Sequence, residues 1–147
     1  MSQIIAIKIV SYSEEIQALE QIRRTVFREE QNITEELEFD GLDETSEHLL
    51  AYLNQEPIGT LRIREVNPKL VKIERLAVLS TARNQGIGRK LMEYAIALIT
   101  EKNQYEQIMI HAQYHLKNFY QSFGFQPVGE TFKEAEILHI KMKKSLN

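Results

Sequence analysis

Residues 74–95, ERLAVLSTARNQGIGRKLMEYA, constrain this chain more than any other stretch. Residues 74–78 are short and mostly apolar and read as a strand. Residues 80–85 form a polar turn. Residues 86–100 read as an amphipathic helix opened by Gly86-Ile87-Gly88, with Ile87, Leu91, Tyr94, Ala95 and Leu98 as its apolar stripe. A strand that stops, a turn, and a helix that begins at glycines together build an anion pocket. The first N–H groups of a helix lack intrahelical partners and carry the positive end of its dipole. Glycine lets an anion approach them closely. Arg83, Arg89 and Lys90 add charge at the same turn. The pattern is not a dinucleotide fingerprint, because Leu91 stands where a third small residue belongs. It also lacks the Gly-Lys-Ser/Thr ending of a P-loop.

The rest of the chain limits what this pocket can serve. The 147 residues amount to a single domain, 1–147, long enough to bury a core. Hydrophobic residues at 43% and charged residues at 27% describe an ordinary soluble globule. A net charge of -3 argues against a nucleic-acid binder. The absence of cysteine excludes disulfides and thiol nucleophiles. MSQIIAIKIV has no basic flank or cleavage site, and no apolar run reaches membrane-spanning length. The expectation is a cytoplasmic protein with no membrane partner.

Taken in order, residues 4–10 read as a strand and Ser13 as the start of a helix running to Glu30. That helix carries Ile16, Leu19, Ile22, Val26 and Phe27 on one side and Arg23, Arg24, Arg28 and Glu29 on a solvated side. Residues 31–47 form an acidic loop with an Asp40-Gly41 turn and a short helix near 34–37. This loop is either solvated or a flap that attracts a cationic amine. Residues 48–54 and 57–66 form a hairpin across Gln55-Glu56, with Arg62 and Arg64 on a half-exposed face. Residues 70–78 are the next strand, and residues 107–112 lie parallel to it through the glycine helix. A short helix over 116–123 ends at Gly124. Strands at 125–128 and 137–142 flank an acidic link. The fold class is α/β: a mixed, twisted, largely antiparallel sheet flanked by helices.

Two motifs together carry a family resemblance. Arg83-Asn84-Gln85-Gly86-Ile87-Gly88 matches Arg/Gln-x-x-Gly-x-Gly/Ala, and Asn118-Phe119-Tyr120 precedes a Phe123-Gly124-Phe125 corner. In this order they resemble the two cofactor motifs of the Gcn5-related N-acetyltransferases (GNAT). VFREEQ, AQYHLKNFYQSFGF and LHIKM are similar to the ElaA-like branch of that family. The resemblance implies a central parallel strand pair that splays apart to admit acetyl-CoA. It implies that the backbone of Leu76, Ala77 and Val78 contacts the pantetheine arm. Arg83, Asn84, Gln85, Gly86, Ile87, Gly88 and Arg89 would hold the pyrophosphate. Asn118 would bond the pantetheine, and Tyr120 would stand at the sulfur.

Acyl transfer to an amine needs a proton acceptor, since a lysine-like ammonium costs about 4 kcal/mol to deprotonate at neutral pH. Glu74, just before the splay, is the first candidate, and its alternative is an ion pair with Arg75 or Lys72. Tyr120 is the candidate donor to the leaving thiolate. Glu30, His111 and His139 are candidate acceptor-side residues, with Glu134 and Glu136 as further carboxylates. No role falls to His48 or His115, and no metal is implied. The expected activity is transfer of acetyl from acetyl-CoA to a primary amine by direct attack in a ternary complex. The acceptor would be a small molecule or a peptide, and the protein a monomer or homodimer. A larger acyl-CoA, or a catalytically silent acyl-CoA sensor or interaction module, is the alternative.

Overall fold

The structure, a computed structural model, describes residues 4–146, the side chains of residues 36 and 37 excepted. β1 (Ile5–Val10) leads into α1 (Ile16–Arg23), which widens into a π-helical segment at Arg24–Glu30. A short α2 (Glu35–Glu38) is followed by β2 (Glu47–Leu53), β3 (Glu56–Asn67) and β4 (Leu70–Val78). A 3-10 turn at Ser80–Ala82 precedes α3 (Ile87–Lys102) and β5 (Gln107–Gln113). A second 3-10 turn at Tyr114–Leu116 runs into α4 (Lys117–Gln121), then β6 (Gln126–Pro127), β7 (Phe132–Glu134) and β8 (Ile137–Ser145). The sheet order is β1-β2-β3-β4-β5-β8-β6, and β7 pairs with β8. Among the described residues only β4 and β5 run parallel, which needs the crossover that α3 supplies. This is the expected mixed, largely antiparallel α/β sheet. No helix among the described residues is long and apolar enough to cross a membrane.

Alternation along the strands divides the core between the two sheet faces. Leu49, Leu61, Ile63, Val71, Ile73, Ile108 and Ile110 pack against Ile87, Leu91, Met92, Ala95 and Ile99 of α3. Leu50 and Ala77 pack against Leu19, Ile22, Val26 and Phe27 on the other face. The α3 stripe is rotated from the expected one, since Met92 and Ile99 are buried and Tyr94 is exposed. Gly59 lies under α3. A methyl there would stand 3.2 Å from both Ile87 and Leu91, so the bare backbone sets how closely the helix docks.

Several local expectations are corrected. The hairpin turn is Asn54-Gln55, with φ of 50° and 74°, as a two-residue I′ turn requires. α1 starts at Ile16 without a side-chain cap, and it is Ser11, not Ser13, that bonds the Glu14 amide. β7, read from sequence as an acidic link, pairs with β8 through a turn with Ala135 and Glu136 at φ 51° and 64°. The largest departure is charge burial. Arg23 and Arg62, placed on solvated faces by the sequence pattern, are 1% and 0% exposed. Arg23 bonds Glu38 and Asp43, each at 2.6 Å. Arg62 holds both oxygens of Asp40, at 2.9 and 2.8 Å, and also Asp43 and Glu74. Glu38 and Asp43 are therefore drawn inward, and with Asp40 they tie the segment to α1 and β3.

Removing one member of a buried ion network leaves the others uncompensated. Arg62→Met is expected to lose about 3–5 kcal/mol of unfolding free energy in urea, whereas Arg24→Ala on the surface loses less than about 1 kcal/mol.

Candidate active site

The site begins where two strands stop pairing. β4 and β5 share three register pairs, Leu70 with Gln107, Val71 with Ile108 and Lys72 with Met109. Beyond them β4 continues against β3 to Val78, and β5 against β8 to Gln113. Among the described residues Ile73–Val78 therefore has no strand on its β5 side, and its backbone groups there need other partners. The Val78 carbonyl accepts a bond from Arg83 Nε at 3.0 Å.

A bulge shapes the same strand. Thr60 pairs with Ala77 but Arg62 with Glu74, so Arg75 and Leu76 oppose the single residue Leu61. Arg75 takes φ 58°, an uncommon value for a residue with a Cβ. The extra residue lets Glu74 and Arg75 both meet the charge network. Arg75 bonds the Glu38 carbonyl and Asp40, each at 3.1 Å.

Above the gap, the chain turns through Asn84 at φ 62° and Gly86 at φ 77° into α3. A Cβ on Gly88 would lie 3.8 Å from Phe119 and 4.0 Å from Val78, so the start of α3 sits beside the end of β4 and α4. Arg83 and Arg89 are engaged within the chain. Arg83 pairs with Glu30, and Arg89 bonds Ser122 at 3.0 Å and lies over Phe123. Asn118 is exposed and its amide has no hydrogen bond among the described residues. Tyr120 is 8% exposed and packs edge-on against Phe119 and Phe125. Burial pushes its phenol up to about 12, so it stays protonated at neutral pH.

Between these parts lies a cleft of about 330 Å³ whose walls include Arg64, Lys72, Glu74, Leu76, His111 and Tyr120. Burial alone raises the Glu74 carboxyl. The Arg64 hydrogen bond at 2.6 Å and the charges of Arg62 and Lys72 outweigh it and bring the group down to about 2. Burial raises the Glu38 carboxyl despite Arg23, and its Oε1 is buried without a partner. His111 Nδ1 stands 3.3 Å from Lys72 Nζ and 3.5 Å from Glu134, which is also 3.6 Å from His139. The His139 Nδ1 proton is fixed by the Ile137 carbonyl at 2.7 Å, since a carbonyl only accepts.

The structure thus brings Glu74, Tyr120, His111 and His139 to one cleft, with Leu76 on its wall and Ala77 and Val78 following along the open edge. Glu30 is elsewhere, exposed and paired with Arg83. Arg64 and Glu38 line the cleft and had no role from sequence. The one sequence signal for Arg64 was its alternation with Leu61 and Ile63 on a half-exposed strand. Among the described residues, no three His, Asp or Glu side chains are placed to hold a metal.

A split parallel pair, capped by a glycine helix start and backed by an Asn-x-Tyr helix, is the arrangement that the resemblance to the Gcn5-related N-acetyltransferases implied. Sequence comparison identifies it further: the Acetyltransferase (GNAT) domain profile matches residues 11–146, and the chain belongs to that family. It is 35% identical to ElaA of Escherichia coli over 135 residues, spanning 90% of this chain and 88% of that protein. It is 35% identical to YyaT of Bacillus subtilis over 129 residues, 86% of each. The crystal structure of E. coli ElaA superposes with a TM-score of 0.86 at 32% identity, covering 97% of this chain and all of that one. An acyl-CoA N-acyltransferase from Pseudomonas aeruginosa superposes at 0.85 with 30% identity, also covering 97% of this chain and all of that one.

A carboxyl whose folded pKa lies below its unfolded value stabilises the protein above the unfolded value and ceases to do so as pH falls through the folded one. For Glu74 this window runs from its ordinary 4.5 down to about 2. The wild-type melting temperature is expected to fall across that range, and Glu74→Gln to start lower and fall less steeply, as read by circular dichroism.

Proposed function

We propose that the chain transfers an acetyl group from acetyl-CoA to a primary amine, with both substrates bound at once. One observation carries this reading: β4 parts from β5 after Lys72, beneath the glycine start of α3. The open edge of Leu76, Ala77 and Val78 is suited to the amides of a pantetheine arm, which would add to it as a further strand. The loop of Asn84, Gln85, Gly86, Ile87, Gly88 and Arg89 would present N–H groups to a diphosphate. Arg83 would join them by leaving Val78 and Glu30. Asn118 has an uncommitted amide for the pantetheine. The glycines fit such a group, since a Cβ on Gly86 would meet nothing within 4 Å.

In the reaction the amine nitrogen attacks the thioester carbonyl, a C–N bond forms and the C–S bond breaks. A backbone N–H near Val78 would stabilise the oxyanion. Tyr120, protonated, would donate a hydrogen bond to the departing thiolate. The thiolate finally takes up a proton equivalent to the one the amine loses. Glu74 accepts a proton poorly at about 2, so its role here is to set Arg64 and Lys72. We assign proton acceptance to His111, on the cleft wall between Lys72 and Glu134.

Thiol release from acetyl-CoA across an amine panel tests the reading. Turnover supports it, and tight acetyl-CoA binding without release by any amine makes the chain a silent sensor. Tyr120→Phe is expected to lower kcat by about 10- to 100-fold while leaving cofactor affinity within about twofold. Gly88→Ala should fold normally, because its methyl has room and alanine favours a helix, yet weaken CoA binding by about tenfold or more by standing between the diphosphate and the amides. Calorimetry reads both constants.

A further inference from the structure

The acceptor side of the cleft has a chemistry that the acidic sequence around residues 35–44 concealed. That segment does not present its charge to the cleft as a whole. Glu38 and Asp43 are bound by Arg23, Asp40 by Arg62 and Arg75, and Glu35 by Arg24 and Arg28. The sheet face beyond β4 is different. Arg64 lies opposite Lys72, Lys72 beside Met109, and Met109 opposite Lys143. One step nearer the cleft, His111 lies opposite Lys141. The buried residues of β5, Ile108, Ile110 and Ala112, point the other way, so this row shares one face.

The acids that line the cleft each stand beside a cation or an imidazole already, Glu38 with Arg23 and Asp40 with Arg62 and Arg75. Glu74 is shared among Arg62, Arg64 and Lys72, and Glu134 lies beside His111 and His139. Lys141 and Lys143 form no ion pair among the described residues. Arg64 is the best placed. Its Nε is fixed on Glu74 at 2.6 Å, its side chain is 24% exposed at the cleft, and neither terminal nitrogen has a partner among the described residues. A guanidinium held at Nε with its other edge open is a fork for an oxyanion.

We propose that the acceptor is an amine that also carries an oxyanion, a carboxylate or a phosphate, held by Arg64 and Lys72 with Lys141 adding charge at the rim. This rests on the transferase reading above. It adds a negative group to the amine that the acidic loop, read as a flap, would attract.

The test compares matched acceptors with wild-type protein and acetyl-CoA: β-alanine against propylamine, lysine against 1,5-diaminopentane, and O-phosphoethanolamine against ethanolamine. The oxyanion-bearing member is expected to have a kcat/KM higher by about tenfold or more, as one charge-assisted bond pair provides. The carboxylate and phosphate arms tell which oxyanion is used. Arg64→Gln should bring that ratio near one through KM rather than kcat, and Arg64→Lys should restore part of it. Should Arg64→Gln not fold, Lys141→Gln, at a side chain with no ion pair among the described residues, should lower the ratio by about two- to threefold through KM. Equal or better use of the neutral and cationic members overturns the proposal and leaves the transferase standing. For a panel without turnover, CoA-loaded protein is titrated with N-acetyl-β-alanine and N-acetylpropylamine by calorimetry. Preferential, salt-sensitive, Arg64-dependent binding of the former supports the proposal, and equal or no binding overturns it. Failure to bind CoA at all defeats the transferase reading instead.

Discussion

The guanidinium of Arg62 is fully buried between the 35–44 segment and β4. A charge in that position costs several kcal/mol unless it is paired on every side. Its partners Asp40, Asp43 and Glu74 come from two separate parts of the chain, and Asp43 passes the connection on to Arg23 of α1. The pairing therefore decides where the 35–44 segment runs. That segment contributes Glu38 and Asp40 to the cleft wall, so the shape of the cleft follows from satisfying one buried cation.

The second constraint is backbone. After Lys72 no strand lies on the β5 side of β4, and a strand edge inside a fold keeps donors and acceptors that seek partners. The bulge at Arg75 adds a change of direction. It sends Ala77 to the α1 face and leaves Leu76 and Val78 with the α3 core. One strand thereby serves three surroundings at once, the charge network, the hydrophobic core under α3 and the open edge of the cleft. An acyl donor entering along that edge from the α3 end would meet an acceptor arriving from the charged face.

Much of this was legible in the chain. Strand 70–78, the glycine helix start, the crossover to β5 and the Asn118–Tyr120 helix have strong local signatures: β-branched runs, glycines at a turn and helical periodicity. Arg23 and Arg62 were misread because period and polarity assign a charged residue to the outside, while burial depends on partners 12 to 22 positions away in sequence. The I′ turn at Ala135-Glu136 was missed because it uses neither glycine nor asparagine. The sequence offered Glu74 as a candidate base, but the number of cations around it is a property of two paired strands.

By itself the amino-acid order determined most of the elements, their sequence and the two motifs that mark the family, because these depend on neighbours within a few residues. Only the tertiary structure decided the electrostatics. Whether an acid is spent inside or offered to a substrate, and whether a carboxylate can take a proton, is set by distances between groups far apart in the chain. Those distances made Asp40 and Asp43 the counter-charge of a buried arginine and left Arg64 on the cleft wall with its terminal nitrogens open.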